Sequence, residues 1–197
     1  MNKRDVTAFF DELAPSWDAH LIRNDEVIDK ILDSAGIEAG VTVLDVACGT
    51  GVLFPDYLKR DVKSVTGVDI SPVMIEYARK KAVSADPRVT LIAGDIEELA
   101  LARRFDRCVV YNAFPHFPVP KRLIESLADK LTEEGRLTVA HGMSRAALDK
   151  HHAGAAGRVS IGLMREEELA ALMAARFNVD VVLSDDEKYI VSGVKKR

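Results

Sequence analysis

Two groups of residues in this chain have types and spacings that chemistry can use. The first is a turn, Asp45-Val46-Ala47-Cys48-Gly49-Thr50-Gly51, with Asp69 following 18 residues beyond Gly51. Glycines at a strand-to-helix junction let a ligand approach the backbone at a helix N-terminus. A carboxylate at the end of the next strand can take both hydroxyls of a ribose. The second group is imidazole: four of the five histidines, His116, His141, His151 and His152, fall within residues 116–152. An unperturbed pKa near about 6.5 suits imidazole to deprotonate a thiol, phenol or amine at neutral pH, and neutral imidazole also binds transition metals.

The turn suits two ligand classes, a dinucleotide and S-adenosylmethionine. The dinucleotide fingerprint needs G-x-G-x-x-G, but the chain reads G-T-G-V-L-F from Gly49, with Phe54 at the third glycine position. Asp45 adds a second argument, because a carboxylate there repels a pyrophosphate and favours a ligand carrying ammonium and sulfonium charge. The charge points to the sulfonium ligand.

Positioning these groups requires a particular scaffold. Short β-branched runs at 41–47, 64–70, 88–94, 107–112 and 136–141 read as strands, nearly continuous in apolar residues as strands covered on both faces should be. Helical patterns at 52–60, 72–83 and 120–131 alternate with them; the second opens Ser71-Pro72, an N-cap followed by proline at the first helical position. That alternation implies a parallel sheet with right-handed crossovers. A helix over 164–177 and two strands around 179–183 and 188–193 follow, joined through Ser184-Asp185-Asp186, a hairpin that ends the sheet with an antiparallel strand.

Composition narrows the function class. The chain has 197 residues, 48% of them hydrophobic, which is enough to close a core. Its 27 Lys and Arg against 31 Asp and Glu give a net charge of −4, a poor match to nucleic-acid binding. Cys48 and Cys108 lack the close pairing of a zinc site. No stretch reaches the ~20 apolar residues of a membrane span and no signal-peptide pattern opens the chain, so a cytoplasmic protein is expected.

VLDVACGTG followed by GVDIS resembles the first two motifs of class I S-adenosylmethionine-dependent methyltransferases. Gly94-Asp95-Ile96 matches the position where that family meets adenine, and FDRCVVYNAFPHF its fourth-strand motif, whose end faces the transferred methyl group. The resemblance covers about residues 40–141. It implies a three-layer, Rossmann-like α/β fold with a seven-stranded, mostly parallel sheet whose last strand is antiparallel. It implies S-adenosylmethionine as cofactor, held by Asp45, Ala47, Cys48, Gly49, Thr50, Gly51, Asp69, Ile70, Met74, Gly94, Asp95, Ile96 and Asn112.

In the fourth-strand motif, Tyr111-Asn112-Ala113-Phe114-Pro115-His116-Phe117 lacks the paired prolines of enzymes that methylate nucleobase amines. It is closer to small-molecule methyltransferases related to quinone biosynthesis. The N-terminal run Phe9 to Asp18, with the only tryptophan, Trp17, resembles the aromatic entry segment that those enzymes fold over cofactor and substrate. The expected organisation is one domain: an entry segment over 1–39, a cofactor core over 40–141, a His-containing cover over 141–160, and a closing helix and hairpin over 161–197.

The expected acceptor is a small molecule contacting Trp17, Phe114, Phe117, His151 and His152. His116 and His141 end adjacent strands and are expected to open onto one crevice as catalytic residues. Three roles remain open for the histidines: a general base, a metal site formed by His116, His141, His151 and His152, or polar lining. Two rival classes also stand beside a methyltransferase, a cofactor-binding module acting through a protein partner and a nicotinamide-dependent oxidoreductase. The sequence leaves the oligomeric state unread.

Overall fold

The computed structural model describes residues 1–152 and 155–197, and side chains outside 149–156. Two N-terminal helices, α1 (Lys3–Leu13) and α2 (Asp25–Ser34), precede β1 (Thr42–Val46), α3 (Phe54–Lys59), β2 (Ser64–Asp69), α4 (Pro72–Arg79), β3 (Val89–Ala93) and β4 (Phe105–Tyr111). The chain continues through α5 (Pro120–Lys130), β5 (Leu131–His141), α6 (Arg145–His152), α7 (Glu166–Met173), β6 (Phe177–Ser184) and β7 (Tyr189–Lys195). The strands form one seven-stranded sheet in the order β3-β2-β1-β4-β5-β7-β6. Pairings are parallel from β3 to β5, and β7 lies antiparallel between β5 and β6.

The apolar strand runs have a direct structural reason. Successive side chains point to opposite faces, so Leu44, Val46, Cys108 and Val110 enter a core with α5 and α7, while Val43, Val65 and Val109 enter a second core with α2 and α3. The sheet is thus covered on both sides. Order reverses between β1 and β4, the switch point whose C-terminal ends form the natural ligand crevice of an open α/β sheet.

Local signals place the elements at this crevice. Ser71 caps α4, its Oγ accepting from the Met74 N–H at 3.0 Å with Pro72 at the first helical position. Helix α3 is shorter than the sequence pattern suggests, because Val52 and Leu53 are spent in the turn after Gly51. β5 is longer, running from Leu131 through Thr132-Glu133-Glu134-Gly135 before the β-branched stretch that the sequence shows.

Candidate active site

The turn after β1 is built from left-handed backbone. Ala47, Gly49 and Gly51 have φ of 55°, 55° and 80°. For Ala47 this costs about 1–2 kcal/mol, local strain of the kind that gathers at functional turns. The two glycines differ in their surroundings. A Cβ on Gly51 would lie 2.5 Å from the Phe54 ring, whereas one on Gly49 would meet nothing within 4 Å and would stand in open space.

Separate outcomes follow for these two positions. Gly51→Ala is expected to lose about 2–4 kcal/mol of unfolding free energy through overpacking and a strained φ, measured by urea denaturation. Gly49→Ala is expected to lose only about 1–2 kcal/mol from φ, and to act chiefly on ligand affinity. Equal stability losses would contradict this division.

Asp69 ties two loops together. Its Oδ2 accepts the Gly49 N–H and its Oδ1 the Ser71 N–H, each at 2.8 Å. Each carboxylate oxygen keeps a further lone pair for a ligand hydroxyl. Burial pushes the Asp69 carboxyl up to about 6, and the Asp11 charge adds to the rise, while the two backbone donors oppose it. Asp45 lies deeper, 2% exposed, and burial followed by the Asp69 charge holds its carboxyl well above the usual range. Both carboxylates are therefore poised to gain from a cation, and no basic side chain occurs from Asp45 to Gly51 that would suit a pyrophosphate.

The crevice crosses the C-terminal ends of β1 to β4 and encloses roughly 950 Å³, open mouth included. Ala47, Cys48, Gly49, Asp69, Ile70, Met74, Gly94, Asp95, Ile96 and Asn112 line it, as do Trp17, His116 and Phe117. Asn112, at the end of β4, has φ 53°, and its Oδ1 accepts the Gly142 N–H at 2.9 Å. The two central strands thus both end in a non-glycine left-handed residue facing one cavity.

The N-terminal segment roofs the crevice. Lys3 pairs with Asp95 and Glu97 after β3, Asp11 accepts from Ser71 Oγ at 2.5 Å, and Thr50 donates to Asp18 at 2.6 Å, with Lys81 Nζ 2.9 Å from the same Asp18 oxygen. Each loop following β1, β2 and β3 is therefore tied to this segment by one of its side chains. Phe10 packs edge-on against both Trp17 and His116, with centroids 5.8 and 5.0 Å apart.

Several expected site residues lie elsewhere. Asp45, Thr50 and Gly51 do not line the crevice: Asp45 lies behind the loop, Thr50 is 1% exposed with its hydroxyl turned to Asp18, and Gly51 packs on Phe54. Phe114 is fully buried in the core beside α5. His141 corrects the expectation of a shared crevice. It pairs with Tyr189 in the sheet, is fully buried and packs edge-on against that ring at 6.0 Å. The physical reason is topological, since β5 lies outboard of β4 and away from the switch point. The side chains of His151 and His152, at the end of α6, lie outside the described residues. Among the described residues no group of three or more His, Cys, Asp or Glu gathers in a metal-binding arrangement.

Lining residues that the sequence did not single out include Lys3, Val6, Leu21 and Tyr111, and Phe10 joins them from within the expected entry segment. Lys3, Val6 and Phe10 recur at spacings of three and four, one face of a helix, which is the signal that could have found them. Residues 43–135 match the family model described as a methyltransferase domain. Those residues form a methyltransferase domain, of the S-adenosylmethionine-dependent class I type that the motifs resemble.

Two curated relatives sharpen this placement. The chain is 30% identical over 141 residues to malonyl-[acyl-carrier protein] O-methyltransferase of Priestia megaterium, covering 70% of this chain and 51% of that one. It is 32% identical over 145 residues to the mitochondrial ubiquinone biosynthesis O-methyltransferase of Schizosaccharomyces pombe, covering 66% and 52%. The chain thus spans about half the length of these relatives. Among solved structures, magnesium protoporphyrin IX methyltransferase from Synechocystis with bound S-adenosylhomocysteine superposes with a TM-score of 0.74 at 18% identity, covering 99% of this chain and 100% of that one. The residues fit the family's cofactor: open space over Gly49, an acceptor-rich Asp69, and carboxylates that a sulfonium and an ammonium group would stabilise. Among the described residues no helix is long and apolar enough to cross a membrane.

Proposed function

We propose that the chain transfers a methyl group from S-adenosylmethionine to a small-molecule acceptor. The observation carrying this reading is the single crevice that runs from Asp95, past Asp69 and the Gly49 loop, to His116 under an aromatic roof. On this reading Asp69 takes the ribose hydroxyls, Asp95 and the Ile96 backbone hold adenine, and the Asp45 charge acts through the loop on the amino-acid portion. The small-molecule character draws support from the two relatives, one named for malonyl-[acyl-carrier protein] and the other for ubiquinone biosynthesis. When bound, the cofactor supplies the electrophilic methyl group; the protein aligns the acceptor and removes its proton.

His116 is the proposed base. Its Nδ1 lies 2.7 Å from the Val159 carbonyl, and a carbonyl only accepts, so the neutral ring carries its proton on Nδ1 and its lone pair on Nε2. Val159 thereby orients the imidazole, as a fixed hydrogen bond does for catalytic histidines generally. A metal site built from His116 and His141 is not favoured, because His116 lines the crevice while His141 is buried in the sheet against Tyr189.

Calorimetry of the full chain tests the cofactor reading. Binding of S-adenosylhomocysteine without binding of NAD is expected, followed by release of S-adenosylhomocysteine when acceptors are supplied with the donor. Tight NAD binding alone would overturn the reading. Cofactor binding with no turnover of any acceptor would leave only a binding module.

Asp69 gives this reading a pH signature. Its folded carboxyl is raised from 3.8 to about 6, so its contribution to stability is full below about 3.8 and is lost as pH rises through about 6. Cofactor binding has the opposite sign, since donating ribose hydroxyls favour the carboxylate. Affinity for S-adenosylhomocysteine is expected to rise about tenfold from pH 5 to pH 7 and then level off. A flat profile would remove Asp69 from the binding site.

A further inference from the structure

We infer that Lys3 sets the selectivity of the crevice for adenine, its ammonium keeping Asp95 an ionised, acceptor-only partner for the exocyclic amine. The inference rests on the adenine placement proposed above. It assigns to that end of the crevice a positioning residue that acts through Asp95.

The place of Lys3 is not explained by its own helix. It opens α1, where Asn2 caps the first turn by accepting the Asp5 N–H at 3.0 Å. A cation in that turn faces the positive end of the helix dipole, an unfavourable position. Its compensation lies 92 residues on, where Nζ meets Asp95 Oδ2 and Glu97 Oε2 together. Lys3, Val6 and Phe10 all line the cavity from one face of α1, so docking of the helix delivers the ammonium to this point.

Both carboxylates come from one short turn after β3. Asp95 Oδ1 accepts the Glu97 N–H at 3.0 Å, while Oδ2 is turned to Lys3. Each oxygen retains a lone pair, so the group can still accept from an amine beside it. The Asp95 and Glu97 side chains are only 16% and 3% exposed. Two like charges so close and so little hydrated do not both stay ionised without a cation. Arg122, which is exposed, approaches Glu97 at the other oxygen, Oε1, at 3.6 Å, and among the described residues the ion pair of Asp95 is with Lys3. Burial works against the Lys3 ammonium, but the hydrogen bonds and charges of Asp95 and Glu97 outweigh it and hold its proton more firmly than usual.

The consequence concerns the direction of a hydrogen bond. An ionised Asp95 accepts from the exocyclic amine of adenine and repels a carbonyl oxygen in the same place. Without Lys3, Asp95 and Glu97 share a proton. A carboxyl group that carries a proton donates to a carbonyl as readily as its other oxygen accepts from an amine. Lys3 thus determines which purine edge the site takes, apart from anything it adds to the roof.

Calorimetry on the full chain tests this by comparing S-adenosylhomocysteine with S-inosylhomocysteine, in which a carbonyl replaces the exocyclic amine, from pH 6 to pH 8. The wild type is expected to favour the adenine compound by at least about 100-fold. That ratio should stay constant over the range, because Asp69 faces the ribose common to both ligands and its titration cancels. Lys3→Met is expected to lower the ratio at least about tenfold at pH 6, with part of the preference returning toward pH 8. Lys3→Arg is expected to keep the wild-type ratio. The double variant Lys3→Met with Glu97→Gln is expected to regain it, since Asp95 is then the one carboxylate of the pair. The Lys3 side chain is part-exposed and outside the core, so its substitution leaves the fold intact. A role in the roof alone would weaken both ligands equally in Lys3→Met; an unchanged ratio there, or a low ratio in the double variant, overturns the inference and leaves the cofactor reading standing. A low ratio already in the wild type removes Asp95 from adenine recognition and the inference with it. Failure of S-adenosylhomocysteine to bind overturns both the inference and the cofactor reading.

Discussion

His116→Gln is expected to lower kcat at pH 7 by about 10²- to 10⁴-fold, the span typical of a positioned general base. Glutamine is chosen because its amide N–H can still reach the Val159 carbonyl that holds Nδ1 at 2.7 Å. The packing of Phe10 over this position then changes little, and thermal unfolding should shift by no more than a few degrees. S-adenosylhomocysteine affinity should be preserved, because the contacts assigned to the cofactor come from the loops after β1, β2 and β3. A variant with wild-type turnover, or with lost turnover and a matching loss of fold, would reduce His116 to a roof support.

Asp69→Ala is expected to weaken S-adenosylhomocysteine binding by at least about 100-fold, read by calorimetry. The size follows from what the carboxylate does. It accepts the N–H groups of Gly49 and Ser71, and on the proposed reading two ribose hydroxyls, each charge-assisted bond contributing about 1.5–3 kcal/mol. Removing it leaves both N–H groups without their acceptor and releases the glycine turn from the start of α4. Asp69→Asn is not conservative here, since one acceptor oxygen becomes an NH₂ group facing an N–H donor. Affinity within a few-fold of wild type in both variants would exclude a ribose-binding role.

The parts of the site that could be read from sequence are those whose chemistry is local. The glycine turn, Asp69, Asp95 and Asn112 each lie at or just past the end of a strand, and strand-to-loop junctions on one sheet edge converge whatever the rest of the chain does. Ser71-Pro72 likewise needed only its own neighbours to announce α4. The residues that misled depended on non-local register. His141 ends a strand as Asn112 does, but its burial is set by antiparallel pairing with Tyr189, 48 residues later. Phe114 sits in a proline-rich stretch that suits a cavity wall, yet the short turn Phe114–His116 directs it into the core and leaves His116 at the crevice. Lys3 had no motif at all, and its place beside Asp95 follows only from where α1 docks.

The ties of the N-terminal segment also say something about order of assembly. Lys3 meets Asp95 across 92 residues, Asp11 meets Ser71 across 60 and Asp18 meets Thr50 across 32. Loop closure over such distances gains nothing until the distant loops exist, and the partners are formed by β1, β2 and β3 themselves. The segment is therefore expected to be the last part of the chain to settle and the first to leave. Amides of α1 should exchange with solvent deuterium well before those of the central strands, and saturating S-adenosylhomocysteine should slow α1 more than it slows β5 or β7. On that order of assembly, the crevice is complete before its roof closes, and exchange in α1 reads that interval.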